Sequence, residues 1–222
     1  MHIPDGFVNL PTAVGFGGVS AGGVWYSLRR SAGLLDDRRI PLAGLMAAFL
    51  FAAQMVNFPV LSGTSGHLIG GVLAAVLIGP WLGVVAMTVV LVVQGLFFAD
   101  GGIAALGLNI FNMALVGVLL GYLLYRTLLV ILPNVRWAVP AAAAVAAWAS
   151  VPLAASGFVL QYAIGGEGSA SVGTVATAMV GVHLLIGIAE GAITALVVAA
   201  VLRTRPDLVS EAPQRAMAAR HG

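Results

Sequence analysis

Between Arg39 and Asp100 the chain carries no charged side chain, and further uncharged apolar stretches follow toward the C-terminus. A helix that spans a bilayer needs about 20 predominantly apolar residues, and several of these stretches approach or exceed that length. Only 8% of the 222 residues are charged and 60% are hydrophobic, which argues against a soluble enzyme. We therefore predict an all-α integral membrane protein with a single transmembrane domain.

The basic residues, all of them arginine, fall in three segments of the chain. These are Arg29, Arg30, Arg38 and Arg39 at a first loop, Arg126 and Arg136 at a second, and Arg203, Arg205, Arg215 and Arg220 near the C-terminus. The positive-inside rule assigns arginine-bearing loops to the cytoplasm, and the segments between these three lack arginine. The pattern predicts a bundle of about seven transmembrane helices, with the N-terminus outside and the C-terminus in the cytoplasm.

We expect a transmembrane domain over residues 1–203, with an N-terminal arm at 1–8, followed by a polar cytoplasmic tail at 204–222. The predicted spans lie at about 11–28, 41–57, 68–79, 81–98, 106–126, 137–163 and 174–202. The third span is short, because twelve residues cannot cross a core of about 30 Å at the rise of a helix. It either crosses or re-enters the membrane before Gly79-Pro80. The arginine pattern favours a crossing, since Arg126 and Arg136 would otherwise lie outside.

The chain opens with Met1-His2, and a free amine followed by histidine is a chelating unit. The terminal amine, the His2 amide nitrogen and an imidazole nitrogen can close two fused rings around one divalent metal. A fourth nitrogen would complete a square, which suits nickel(II) or copper(II). His67 is the best candidate for this donor, although each histidine alone also fits a solvent-exposed residue. Since histidine is bulky and no signal-peptide pattern is visible, we expect Met1 to be retained.

Further polar residues are predicted at the same outer end of the bundle. They are Asn57, Ser65, Gln94, Asp100, Asn109 and Asn112. Asn109 and Asn112 are three residues apart, so a helix would place them on one face. Such amides either hold metal-bound imidazoles in place or join neighbouring helices by hydrogen bonds. Asp100 precedes two glycines and equally suits a turn.

His183 and Glu190 are the ionisable pair deep within a predicted span. They are seven residues apart, which is two helical turns, so they share a face. The pair suits a satisfied polar contact, a link to a neighbouring helix or a proton relay. We do not expect it to bind the metal of the outer pocket, because Glu190 lies too far along the helix.

The absence of certain residue types and motifs from the sequence excludes several activities. The chain has no cysteine, so disulfides, thiolate metal sites and thiol catalysis are excluded. It has no lysine and no phosphate-binding loop, so it has no ATPase site of that kind, and no metalloprotease motif is visible. The arginines are explained by topology, so we expect no nucleic-acid partner. The sequence favours a transporter subunit over an enzyme.

Five segments together resemble the CbiM/NikM proteins, the substrate-binding membrane components of energy-coupling factor transporters for cobalt and nickel. The matching segments run in the same order from residue 1 to about 200: Met1–Phe7, Gly63–Gly71, Gln94–Gly102, Asn109–Met113 and Gly181–Gly187. The first two are highly specific. The resemblance implies that the Met1 amine, the His2 amide and imidazole, and the His67 imidazole hold the metal.

The resemblance also implies cobalt(II) or nickel(II) as the transported substrate, and a place in the cell membrane of a bacterium or archaeon. It implies a transmembrane coupling protein and a cytoplasmic ATPase pair as partners, together with a small two-span accessory protein, expected here as a separate chain. The sequence does not choose between cobalt and nickel. Two alternatives stay open: a stand-alone secondary metal transporter, and a membrane enzyme or scaffold.

Overall fold

The computed structural model describes residues 1–37, 39–61 and 64–209. Arg38, Ser62, Gly63 and the segment 210–222, with Arg215, Arg220 and most of the predicted tail, lie outside the described residues. The elements in chain order are α1 (Leu10–Ala32), α2 (Arg39–Met55), β1 (Asn57–Leu61), β2 (Thr64–His67), α3 (Gly71–Ile78), α4 (Pro80–Phe97), α5 (Leu106–Asn109), a π-helix (Ile110–Leu120), α6 (Gly121–Ile131), α7 (Ala138–Gly165), α8 (Val172–Thr204) and a 3₁₀ turn (Pro206–Leu208).

Four helical segments are long and apolar enough to cross a membrane: Pro80–Phe97, Leu106–Ile131, Ala138–Gly165 and Val172–Thr204. The segment Leu106–Ile131 combines α5, the π-helix and α6. Helix α1 has 23 residues and α2 has 17, and both overlap predicted spans within a few residues. The prediction of an all-α membrane protein is confirmed at this level, with α3 as the shortest of the predicted crossings.

One end of the bundle, which we call the arm end, gathers the N-terminal arm and the loop after α7. The backbone N–H of Asn9 donates to the carbonyl of Gly165 at 2.7 Å, so α1 begins where α7 ends. The Asn9 side chain also caps α1 by accepting from the N–H of Thr12 at 3.0 Å. The first helix therefore starts from a fixed point, which holds the preceding arm close to the bundle.

The opposite end, which we call the arginine end, collects the described arginines. The Tyr26 and Trp81 rings, 5.2 Å apart, join the later part of α1 to the start of α4. The guanidinium of Arg136 donates to the Leu202 carbonyl at 3.3 Å and joins the start of α7 to the end of α8. Long helices therefore alternate in direction between the two ends.

The predicted third span is a composite. Helix α3 has only eight residues, about 12 Å, so it does not cross the membrane alone. It starts after residues 68–70, which have no regular structure and include Gly70 with a φ of +74°, and it ends at Gly79, whose φ of +85° breaks the helix before Pro80. Because α4 then begins at the arginine end, the chain crosses here, first as irregular backbone and then as a short helix.

A two-stranded antiparallel hairpin, β1–β2, replaces the loop expected between the second and third spans. The predicted second span reached residue 57, but α2 ends at Met55, and Asn57 pairs with His67 as the first residue of the hairpin. Pro59, four residues after Met55, cannot donate to a helical hydrogen bond and disfavours continuation of α2. The hairpin therefore fixes the position of His67.

Candidate metal centre

The N-terminal arm, residues 1–8, lies against the bundle and turns at Asp5-Gly6, where Gly6 has a φ of +77°. Met1, His2 and Ile3 are almost fully buried. The Ile3 N–H donates to Asn109 Oδ1 at 2.8 Å, and its carbonyl accepts from the Gly102 N–H at 2.8 Å. Further along, the Phe7 carbonyl accepts from the Glu167 N–H at 3.1 Å. The main chain of the arm is thus held on two sides, which sets the position of the side chain of His2.

Asp5 fixes the arm to the loop before α5. Its Oδ1 accepts from the backbone N–H groups of Ala104 at 2.9 Å and Ala105 at 3.3 Å, and its Oδ2 accepts from Ile103 at 3.2 Å. A Cβ on Gly102 would overlap the Asp5 carboxylate and backbone. No sequence pattern indicates this role of Asp5, because its position between Pro4 and Gly6 is typical of a turn.

The two histidines meet at the centre of the site. His2 Nδ1 lies 3.0 Å from His67 Nε2, and the two rings stack with centroids 4.7 Å apart. His67 Nδ1 lies 2.8 Å from the Leu68 carbonyl oxygen, which only accepts hydrogen bonds. Nδ1 of His67 therefore carries the hydrogen, and its Nε2 presents a lone pair to His2.

Gln94 defines the other side of His2. Its Oε1 lies 3.1 Å from His2 Nε2, and since an amide oxygen only accepts, the hydrogen of His2 is then on Nε2. The Nδ1 lone pair of His2 now faces the lone pair of His67. Asp100 Oδ1, a third acceptor, lies 3.2 Å from the same Nδ1. Acceptors that face one another without a hydrogen between them repel, and either a shared hydrogen or a cation would relieve this repulsion.

Rotating the Gln94 amide by half a turn would instead donate to His2 Nε2 and place the hydrogen on Nδ1. Gln94 Nε2 has no hydrogen-bond partner among the described residues, so this rotation breaks no bond seen here. The pocket can therefore hold either a hydrogen or a metal ion between the imidazoles.

Burial keeps the nitrogens of the site neutral. Desolvation lowers the pKa of the Met1 amine to about 4, although the charge of Asp100 opposes the shift. Desolvation and then repulsion from the amine lower the pKa of His2 to about 3. The same two causes hold the pKa of His67 well below its usual value. Burial raises the pKa of Asp100, and the nearby amine opposes this. Near neutral pH, three nitrogen lone pairs are available.

The Met1 amine lies beside the hairpin. It donates to the carbonyl of Ser65 and lies 3.4 Å from the Ser65 hydroxyl oxygen. Within the described residues, no three His, Cys, Asp or Glu side chains are arranged to hold a metal by themselves. A metal at this position would therefore need main-chain nitrogens as well as imidazoles.

A cavity of about 550 Å³ opens beside the arm at the arm end. Its lining includes His2, Asn57, Ser65 and Asp100. Asn57 is exposed and contributes to this mouth, while Gln94 is buried behind the imidazoles. The cavity provides a route for a hydrated ion from the arm end to His2.

The two asparagines have different positions. Asn109 binds the arm at Ile3, whereas the Asn112 side chain exchanges two hydrogen bonds with Gln161 of α7, at 2.9 and 3.0 Å. The helix changes from α to π geometry between them, so three residues no longer return to the same face. Gln161 lies near the end of a long apolar span, and no motif in the sequence indicates its role.

The second predicted pair lies deeper on α8. The Glu190 carboxylate accepts from the backbone N–H groups of Ile69 at 2.6 Å and Gly70 at 2.9 Å, just before α3 begins. His183 Nδ1 donates to the Met179 carbonyl at 2.6 Å. Glu190 thus links α8 to the segment after His67, while His183 Nε2 has no hydrogen-bond partner among the described residues.

The family model, the similar sequences and the similar solved structures agree with one another. Residues 2–208 match the family model described as CbiM, cobalt uptake substrate-specific transmembrane region. A protein of Haloquadratum walsbyi, whose name places it in metal transport, is 45% identical over 94% of this chain and 93% of its own. One of Archaeoglobus fulgidus, bearing the name of a fused nickel transport protein, NikMN, is 41% identical over 95% of this chain and 68% of its own. The crystal structure of a truncated transition metal transporter matches with a TM-score of 0.84 and 30% identity, over 92% of this chain and 99% of that one.

Proposed function

The chain belongs to the CbiM family, and on that premise we propose that it is the substrate-binding component of an ATP-driven energy-coupling factor importer for divalent cobalt or nickel. The observation that carries the proposal is the approach of His2 Nδ1 to His67 Nε2, at 3.0 Å, next to the buried Met1 amine. Both imidazoles are neutral near pH 7 and positioned by hydrogen bonds on their far nitrogens.

The separation of the two nitrogens fits adjacent corners of a square. Two nitrogens each about 2.0 Å from one ion and at right angles lie about 2.8 Å apart. The Met1 amine, the His2 amide nitrogen and His2 Nδ1 would occupy three corners as fused rings, and His67 Nε2 the fourth. Gln94 would then accept from the outer N–H of His2 and Leu68 from that of His67, a common support for metal-bound imidazoles.

Transport also needs a source of energy. The sequence lacks a phosphate-binding loop, so we propose that ATP is hydrolysed by a cytoplasmic ATPase pair that acts through a transmembrane coupling protein. A small two-span accessory protein completes the proposed complex. The positive-inside rule places the arginine end in the cytoplasm and the arm end outside, so the metal would enter through the cavity beside His2.

Metal-uptake measurements on single variants test this proposal. In cells that contain the complex, His2→Ala and His67→Ala should each abolish uptake of radioactive nickel and cobalt without lowering expression, because each removes a donor from the square. His221→Ala, in the tail outside the described residues, is the control and should transport normally. Near-normal uptake by either site variant would refute the four-nitrogen site.

Two further measurements separate the alternatives. A permanent N-terminal extension removes the free amine and should abolish tight binding of nickel to the purified protein. Uptake into vesicles that lack any ATPase would instead support a stand-alone transporter. Competition between nickel and cobalt for the purified protein would identify the preferred metal.

A further inference from the structure

His183 lies outside the proposed four-nitrogen site but has the form of a metal ligand. It is fully buried on α8, and its Nδ1 donates to the Met179 carbonyl at 2.6 Å. The hydrogen of the neutral ring is therefore on Nδ1, and Nε2 carries a lone pair. That nitrogen has no hydrogen-bond partner among the described residues. A buried acceptor without a partner costs free energy, so its presence needs an explanation.

The surroundings of His183 follow from contacts above and below it on the same helix. Met179, His183 and Glu190 are all buried and lie on one face of α8. Met179 Sδ lies 3.9 Å from the hydroxyl of Thr64, and Glu190 accepts from the N–H groups of Ile69 and Gly70. The chain from Thr64 to Gly70 therefore runs along this face, with His183 between the two contacts.

The spacings place His67 beside His183. Met179 and Glu190 are about 16 Å apart along the helix, and the chain from Thr64 to Ile69 covers at most about 17 Å. His67 is near the middle of that segment, at nearly the level of His183.

These positions define the step between the two imidazoles. Helix α8 begins at the arm end, and His183 lies at nearly the level of His67, so the step from His67 to His183 leads sideways, from the arm to α8. The arm binds His67 from one side, and α8 lies along the other part of the same segment. An ion released by the arm would find the lone pair of His183 as the next nitrogen donor.

We propose that His183 Nε2 is a transient metal ligand that receives the cobalt or nickel ion from His67 during inward release. The inference rests on the proposed function. In the exchange, the bond from His67 Nε2 to the ion is replaced by one from His183 Nε2, and water molecules replace the Met1 amine, the His2 amide and His2 Nδ1. The amide nitrogen regains its proton from one water, which leaves as hydroxide.

The test compares binding with delivery in His183→Asn. The asparagine amide can donate to Met179 but offers no imidazole lone pair. Nickel affinity of the purified protein should stay within about twofold of wild type, whereas uptake by the complete complex should fall at least about tenfold. ATP hydrolysis by the reconstituted complex should continue, because the proposed role of His183 is to bind the metal and not to act on the partner proteins. Thr194→Val, which removes a buried polar group from the same helix, should import normally.

A second variant separates ligand chemistry from packing. His183→Cys places another metal-binding atom at the position and should restore part of the uptake lost in His183→Asn. Wild-type uptake by His183→Asn would overturn the relay. So would a loss of nickel binding equal to the loss of uptake, or failure of cysteine to restore more uptake than asparagine. If the wild-type protein neither binds nor imports nickel or cobalt, the proposed function itself fails, and the relay with it.

Discussion

Gln94 acts on His2 from the side opposite His67. The amide is fully buried in α4 and holds His2 Nε2 at 3.1 Å, which directs Nδ1 toward the other imidazole. Gln94→Leu keeps a similar volume but removes this bond, so His2 would rotate more freely. We expect nickel affinity to fall about 10- to 100-fold, as is usual when the support of a metal-bound imidazole is removed. Calorimetry on the purified protein measures this loss.

The control for Gln94→Leu lies on the same helix. Thr88 donates only to the Val84 carbonyl of its own helix, at 2.8 Å, so Thr88→Val should leave nickel affinity unchanged. Equal affinity of Gln94→Leu and wild type would show that the amide does not orient His2.

The pH dependence of metal binding should correspond to the release of one proton for each metal ion bound. Burial lowers the pKa values of the Met1 amine to about 4 and of His2 to about 3, so both are already neutral at pH 7. Only the His2 amide then releases a proton to the metal, so affinity should fall about tenfold for each unit that the pH falls between about 8 and 5. Nearer pH 4 the decrease should steepen as protons compete for the amine.

Calorimetry in buffers of different ionisation enthalpy counts the released protons. About one proton per metal is expected at pH 7. Release of two or three would mean that the imidazoles or the amine are protonated in the free protein.

Met1, His2 and His67 could be proposed as metal donors from the sequence because their donor chemistry depends on residue type and on the start of the chain. Gln94, Asp100 and Asn109 were expected near them because topology put them at the same end. Asp5 and Gln161 could not be assigned in this way. Their roles depend on which backbone groups approach them, and a lone polar residue in an apolar chain does not reveal its partner.

At the scale of elements, close approach of the arm to the loop before α5 depends on Gly102. A Cβ at this position would overlap Asp5, so Gly102→Ala should displace the arm although every proposed metal ligand is present. We expect nickel binding to weaken at least about tenfold, with faster hydrogen exchange in residues 3–8. Gly18→Ala is the control, since a Cβ there meets no atom within 4 Å. Unchanged binding and exchange in Gly102→Ala would show that the arm tolerates the extra methyl.

Glu190 determines the stability of the composite third crossing. Its carboxylate satisfies two buried N–H groups ahead of α3, which has no side-chain cap of its own. Glu190→Ala leaves both donors unpaired and should lower the free energy of unfolding by roughly 2 kcal/mol or more, whereas Glu190→Gln retains an acceptor and should lose less. Titration of the purified proteins with a denaturing detergent measures the free energy of unfolding of wild type, Glu190→Gln and Glu190→Ala. Equal stability of these three proteins would contradict the prediction. Glu167→Gln, at an exposed acid, is the control.

Hydropathy predicted the long helices to within a few residues because their burial in lipid depends on summed composition. It could not predict β1–β2, since residues 57–67 are too polar for a span and their pairing is decided by the elements around them. The π-helix had no signal either, because the Asn112–Gln161 contact that accompanies it joins α7 to a helix far away in sequence.

At the scale of the whole molecule, all described arginines lie at one end. The positive-inside rule therefore predicts that the loop 166–171 faces outward and the loop 33–38 inward. The chain has no cysteine, so a single introduced cysteine is the only thiol in the protein that a reagent can label. Ser169→Cys should react with a membrane-impermeant maleimide in intact cells, and Gly33→Cys only after lysis. The reverse pattern would invert the proposed orientation.

The arm contacts residues 101–109 and 165–167, so the segment synthesised first is fixed by segments synthesised much later. Contacts this distant in sequence form slowly, because the chain between them must be ordered first. During synthesis the chelating end would stay exposed until α7 has emerged and packed. The proposed metal centre would therefore form only after α7 has packed, and shorter chains would not hold the ion in this way.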